Sequence, residues 1–202
     1  MGIRLGKIIQ IMGKSGSGKD TIMQHFLKSN PYDLKSIILH STRPIRDGEM
    51  NGREYFFDSN EEMLLLKEQG KIVELRSYNT VYGIWHYYTC SDNINLEKHN
   101  YITVGTLEAY DQYCSYFGKD TIVPILVDMD GGSRIIRAVE REKKQRNQNY
   151  KELCRRFMAD EDDFSHENIR KRNISDLIDN NGTIEDSVIQ LEKIVQKKLT
   201  LF

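Results

Sequence analysis

The chain has 202 residues, 39% of them hydrophobic and 29% charged, with 29 basic against 30 acidic side chains and a net charge of −1. That size and composition suit one soluble domain, or one domain with mobile insertions. The even charge gives no overall pull toward nucleic acid or a membrane surface, so any anion site has to be built locally. Cys90, Cys114 and Cys154 lie too far apart to suggest a metal motif or a disulfide framework. No apolar run approaches the roughly 20 residues of a membrane span. The first residues, MGIRLGK, lack a leader pattern. Together these features set the expectation of a cytoplasmic protein with free thiols.

In chain order, Lys7–Met12 is a short apolar run that predicts a buried strand, and KDTIMQHFLKS after it has helical spacing with Ile22 and Phe26 inward and Leu27 as a further candidate. LKSIILH predicts a second strand, and residues 41–58 form a polar stretch rich in Arg, Gly and Glu. SNEEMLLLKEQG predicts a helix that starts at Ser59 or Asn60 and stops at Gly70. KIVELRSY and TVYGIWHYYT carry β-branched and aromatic residues and predict a pair of strands. DNINLEKH predicts a short helix, YITVG a strand, TLEAYDQYCSYFG a helix and TIVPILV a strand. One or two charged helices follow over residues 133–158, SRIIRAVEREKKQR and YKELCRRFMAD, then a strand in ISDLID and an amphipathic helix in TIEDSVIQLEKIVQKKL. The alternation of strands and helices predicts an α/β fold built on a parallel sheet.

Gly13-Lys14-Ser15-Gly16-Ser17-Gly18-Lys19 fits the first seven positions of the phosphate-binding pattern G-x-x-x-x-G-K-[ST], between a predicted strand and a predicted helix. Glycines let backbone N–H groups turn inward around an anion, and the helix N-terminus adds positive potential. Lys19 is placed to reach the β- and γ-phosphates of a nucleotide. The eighth position holds Asp20, and a hydroxyl follows one place later at Thr21. A carboxylate beside phosphate is repelled by about 1 kcal/mol or more. Asp20 is therefore expected to face away or to serve a metal, directly or through water. The nucleotide-binding set read from this stretch is Gly13, Ser15, Gly16, Ser17, Gly18, Lys19, Asp20 and Thr21.

A second anion site is suggested by Arg43 and Arg46, two planar forks around a proline turn, with Tyr55 as a phenol donor. The run Ser41-Thr42-Arg43-Pro44-Ile45-Arg46-Asp47-Gly48-Glu49-Met50-Asn51-Gly52-Arg53-Glu54-Tyr55-Phe56-Phe57 resembles the guanylate kinase family pattern T-T-R-x-P-R-x-G-E-x-x-G-x-x-Y-x-F, with the proline shifted by one place. GKIVELRSYNTVYGIW is similar to the family's G-x-F-x-E-x-x-x-x-x-x-x-Y-G-[ST].

The resemblance implies that Arg43, Arg46, Tyr55 and Tyr82 hold an acceptor phosphate, with Glu49 in the same motif, and that Glu74 accepts hydrogen bonds from a guanine edge. Arg137 and Arg141, one helical turn apart, look like the family's lid arginines. Arg156 looks like the arginine that returns from the lid, and Asn180 or Asn181 falls in the turn near the adenine. Lys19, Arg43, Arg137, Arg141 and Arg156 are thereby the expected catalytic set.

The resemblance also implies a three-layer α/β/α P-loop NTPase fold with a central, mostly parallel sheet. The expected divisions are a core of 1–39, 92–133 and 159–202, a mobile nucleoside monophosphate-binding insertion at 40–91 and a helical lid at 134–158. The implied activity is ATP-dependent phosphoryl transfer to GMP or dGMP with Mg²⁺, in purine nucleotide metabolism. The implied partners are small nucleotides, with no nucleic acid and no membrane, in a monomer or homodimer.

Four departures from the family pattern matter, the last three of them on the base-reading side. Asp20 replaces a hydroxyl residue. Leu39 stands where the family has a serine, and Ile84 follows Tyr-Gly in place of Ser or Thr. Val104 and Thr106 occupy the places of two aspartates. His40, Ser41, Trp85 and Thr106 are the candidate replacements for the missing contacts. A kinase for another phosphorylated acceptor, such as ribose 1,5-bisphosphate, and a non-catalytic binding module are the alternatives.

Other charged stretches have plainer readings. REKKQRNQNYK, interrupted by acidic residues, reads as a solvated lid helix, and ADEDDF as a polar helix end or loop. The five histidines show no metal-ligand spacing.

Overall fold

The computed structural model describes residues 5–45, 48–80, 82–146 and 148–200. In chain order its elements are β1 (Ile8–Met12), α1 (Lys19–Ser29), β2 (Lys35–Ser36), β3 (His40–Ser41), β4 (Phe56–Phe57), α2 (Asn60–Glu68), β5 (Ile72–Thr80), β6 (Gly83–Cys90), β7 (Tyr101–Gly105), α3 (Leu107–Phe117), β8 (Ile122–Asp128), α4 (Gly131–Lys143), α5 (Tyr150–Asp163), α6 (His166–Lys171), β9 (Asp176–Asp179) and α7 (Ile184–Thr200). They form a five-stranded sheet in the order β2-β7-β1-β8-β9 and a four-stranded sheet in the order β4-β3-β6-β5. The chain divides into two compact units, one of Met1–Ile8, Leu34–Thr103 and Glu108–Ile122, the other of Ile9–Asp33, Val104–Leu107 and Val123–Phe202.

The second unit is built on β1, a fully buried IIQIM run, and on β8, which pairs parallel with β9 from Ile125 opposite Asp176 to Asp128 opposite Asp179. Burial on both faces explains why β1 reads as a continuous apolar run rather than an alternation. α1 turns Ile22 and Phe26 into this core, and α7 adds Leu191 and Val195. Helices against a mostly parallel sheet give the expected α/β class.

In the first unit β2 pairs parallel with β7, Lys35 opposite Tyr101. β5 and β6 form a long antiparallel ribbon joined at Thr80 and Gly83, and β3 pairs with β6 on one side and with β4, in parallel, on the other. One face of the ribbon is apolar: Met63 of α2 packs with Tyr88 and Cys90, against which Leu66, Ile72 and Leu75 lie.

Three predicted elements differ. LKSIILH is not one strand but two short ones in different sheets. The Ile37 amide donates to Ile102 O, whereas Leu39 O accepts from the Phe56 amide, so one apolar run serves two sets of partners. DNINLEKH forms a 3₁₀ turn at Ser91–Asn93 and no α-helix. Asn95 explains this, because its side-chain oxygen accepts from the Glu97 amide at 3.1 Å and competes with helical bonding. α6 was not foreseen; Ser165 caps it by accepting from the Asn168 amide.

α2 begins as the sequence suggests. The Ser59 hydroxyl accepts from the Glu62 amide at 3.1 Å, and the Glu62 carboxylate accepts from the Ser59 amide at 2.7 Å, a reciprocal capping box. Replacing Ser59 with Ala is expected to cost about 1 kcal/mol of stability. Urea denaturation of the variant beside the parent checks this.

Candidate active site

The glycine loop lies in the second unit, between β1 and α1. Gly16 and Gly18 take φ values of 82° and 88°, a region open mainly to glycine. A Cβ added at Gly18 would run into Asn180 Nδ2 and lie 3.6 Å from Arg137 Nη1, so the loop is closely backed there. Asn180 is buried. Its amide donates to Ser17 O at 2.7 Å and its oxygen accepts from Ser187 Oγ at 2.8 Å, which ties the loop to α7. The Ser17 hydroxyl is buried without a partner. Lys19 and Asp20 open α1, with Lys19 Nζ 3.6 Å from the Asp20 carboxylate. The Asp20 side chain is 64% exposed, and Thr21 is exposed beside it.

α4 and α5 hold the loop from the other side. Arg134, 1% exposed, donates from Nη1 to Ser15 O at 3.2 Å and from Nη2 to the Glu161 carboxylate, and its guanidinium lies 4.1 Å from the centre of the Phe157 ring. Glu161 also receives Lys14 Nζ at 2.5 Å. The Ser15 amide donates to the Asp160 carboxylate at 2.6 Å. Arg141 and Arg156 line a crevice with Ser15, Ala138, Leu153 and Phe157. Burial, reinforced by Asp160 and Asp162, raises the Asp163 pKa above the usual carboxylate range.

The first unit carries the other half of the expected set. On the ribbon Glu74 stands opposite Thr89, Arg76 opposite Tyr87 and Tyr78 opposite Trp85. Strand alternation places Glu74, Arg76 and Tyr78 on one face, away from Leu75 and the apolar cluster. Glu74 is 1% exposed. Its carboxylate accepts from Arg76 Nε at 2.9 Å, from Arg76 Nη2 at 3.3 Å and from Thr89 Oγ1 at 3.1 Å. Tyr113 donates to Thr89 Oγ1 at 2.9 Å beneath them. Burial acts to lower the Arg76 pKa, but Glu74 outweighs it and the guanidinium stays charged. Burial also raises the pKa of the Tyr78 and Tyr113 phenols, so both are neutral.

Further along this unit, Arg43 is buried with its fork on Glu49, at 2.7 and 2.6 Å. Its guanidinium lies 5.1 Å from the centres of the Tyr55 and Phe57 rings. Tyr55 meets Tyr87 edge-on at 5.7 Å, and Tyr87 meets Tyr78 in the same way at 5.7 Å. A row of phenols thus leads from Arg43 to the Glu74–Arg76 pair. Buried ion pairs of this kind rarely repay their desolvation in stability alone. Their presence on a polar sheet face opposite an apolar one makes that face a candidate binding surface.

A family model described as guanylate kinase matches residues 6–198. The chain belongs to the guanylate kinase family. A guanylate kinase of Shewanella sp. is 34% identical over 89 residues, 44% of this chain and 41% of that protein, and one of Nostoc sp. is 41% identical over 69 residues, 34% of each. The alignments thus span about two fifths or less of these relatives' length. The crystal structure of the guanylate kinase from Anaplasma phagocytophilum superposes with a TM-score of 0.69 over 96% of this chain and 86% of that one, at 19% identity, a likeness of fold.

Within this guanylate kinase family member, Arg46 lies outside the described residues. Tyr82 is 76% exposed at the end of the ribbon and stacks on Trp85, with ring centres 6.1 Å apart. Ile84 is exposed beside it, whereas Leu39 is buried. His40 is held by Asp58 at 2.6 Å, and Ser41 donates to His86 O at 3.1 Å, so both are engaged within the sheet. Sequence reasoning missed Arg134, Asp160, Glu161 and Arg76. The alternation of β5 could have flagged Arg76, two places from Glu74 on the same face. Nothing in the pattern of ADEDDF signalled contact with a loop about 145 positions away.

Proposed function

We infer that this protein transfers the γ-phosphoryl group of ATP to GMP or dGMP, giving ADP and the nucleoside diphosphate. The observation that carries the reading is the loop Gly13–Lys19, running from a fully buried strand into the N-terminus of α1 with Lys19 at its end. Membership of the guanylate kinase family and the names of its relatives favour a nucleotide acceptor over a ribose bisphosphate. The retained Lys19 and glycines favour catalysis over a binding module.

In this mechanism Lys19 and the loop amides hold the donor phosphates. Arg43, with Arg46, Tyr55 and Tyr82, holds the acceptor phosphate, and Glu49 occupies the Arg43 fork in the way an oxyanion would. The acceptor oxygen is already anionic, so positioning and charge neutralisation do most of the work. Arg137, Arg141 and Arg156 supply the positive charge around the transferred group, and Glu74 stands at the base. Residues 1–39, 92–133 and 159–202 serve as the core, 40–91 as the acceptor-binding region and 134–158 as the lid.

Mg²⁺ fits this site. Among the described residues no cluster of three or more His, Cys, Asp or Glu forms a ready-made cage, and Asp20 and Thr21 offer exposed oxygens at the start of α1. Mg²⁺ commonly uses one or two protein oxygens beside the substrate's phosphates and several waters. When bound it neutralises phosphate charge, and Asp20 would hold it through water. Asp20→Ala is expected to raise the Mg²⁺ concentration for half-maximal rate by about tenfold. An unchanged Mg²⁺ titration removes Asp20 from that role.

Among the described residues no helix is long and apolar enough to cross a membrane. The reading extends to a cytoplasmic enzyme, monomer or homodimer, of purine nucleotide metabolism. The test is ADP formation from Mg-ATP with GMP, dGMP, AMP, CMP, UMP, dTMP and ribose 1,5-bisphosphate. Turnover led by GMP or dGMP supports the reading. Turnover led by another acceptor, or by none, overturns it.

A further inference from the structure

The geometry points to Arg76 as the residue that decides which base the acceptor site takes, and to 6-oxopurine nucleoside monophosphates, with or without a 2-amino group, as the class accepted. This inference rests on the kinase reading above. Glu74 is the residue expected to read the base, yet both its oxygens are engaged, by Arg76 Nε and Nη2 and by Thr89. The Glu74 side chain has no exposure, whereas that of Arg76 retains 10%. The part of the pair that a ligand can reach is therefore the guanidinium.

A guanidinium has only N–H donors and no acceptor. Tyr78 beside it is a neutral phenol, and Leu39 and Ile84, where hydroxyls would be expected, bring no polar side-chain atom. A base on this face meets donors first. Guanine and hypoxanthine present a carbonyl at position 6, which Arg76 can satisfy. Adenine presents an amino group there and sets donor against donor. The 2-amino group of guanine needs an acceptor, and the carboxylate that could supply one is already bonded to arginine. The ion pair is neutral as a whole, which suits an uncharged base.

Calorimetric titration of the full chain with GMP, IMP and AMP tests this. IMP is expected to bind within about threefold of GMP, and AMP at least about tenfold more weakly, as when a buried donor is left unpaired. In Arg76→Met the carboxylate is released to the 2-amino group, and the GMP preference over IMP should rise to about tenfold or more. Where that variant fails to fold, Glu74→Gln/Arg76→Met leaves no buried charge and should lose the discrimination between IMP and AMP.

A preference for GMP over IMP above about thirtyfold in the parent protein overturns the assignment. So does AMP binding as tightly as IMP, or uniform weakening in the variants with unchanged ratios. ADP formation is followed in parallel. Binding in the expected ratios without turnover overturns the kinase reading and not this one. Turnover with the wrong ratios overturns this one alone, and no binding of any of the three overturns both.

Discussion

Lys19→Met is expected to lower the rate of ADP formation by about a thousandfold or more while leaving the fold intact. Lys19 is the cation at the junction of the glycine loop and α1, and its nearest described carboxylate is the exposed Asp20, at 3.6 Å. Exposed pairs of this kind add little to stability, so the melting temperature should move by no more than about 2 °C. The loss should fall on turnover with saturating ATP, because the charge it supplies matters most as the phosphoryl group leaves. GMP affinity, measured by calorimetry without ATP, should be unchanged. A variant that keeps a tenth or more of the parent rate, to take about that figure as the limit, would falsify the placement of ATP phosphates on this loop.

Arg134→Met should have the largest effect on stability, a loss of about 2–3 kcal/mol by chemical denaturation. Arg134 is buried against Phe157 and joins Ser15 O to Glu161, so its removal takes a donor from the loop carbonyl and leaves Glu161 with Lys14 alone. The loss falls below the usual range for a broken buried pair because water reaches the partly exposed Glu161 and Lys14 still pairs with it. The same change frees the Ser15–Gly16 turn that Arg134 contacts. KM for ATP should therefore rise by about tenfold while KM for the acceptor stays the same. Arg134→Lys should restore stability only in part, because an ammonium cannot match the fork that spans carbonyl and carboxylate. Equal changes in both KM values would reduce Arg134 to general support of the fold.

The elements that sequence made legible are those whose pattern is local. β1 and α1 follow from a buried apolar run, glycines and helical spacing. α2 follows from its capping box, and β5 and β6 from their β-branched and aromatic residues. The α/β class follows from the alternation. What stayed hidden depends on partners far along the chain. Residues 34–40 have the apolar content of one strand, and only tertiary hydrogen bonds divide them between two sheets. The acidic end of α5 reads as solvated until it meets Ser15 and Lys14. Glu74 could be picked out from a motif as a candidate for the base, but that its charge is already matched by Arg76 depends on the side-chain geometry of the ribbon.

The bond from the Ser15 amide to Asp160 has a consequence for the way a nucleotide enters. The loop does not wait as an empty cradle. One of its donors already grips a carboxylate from the chain itself, so an incoming phosphate that claims this donor exchanges one anion for another. The gain there is the difference between two charge-assisted bonds, not the whole of one.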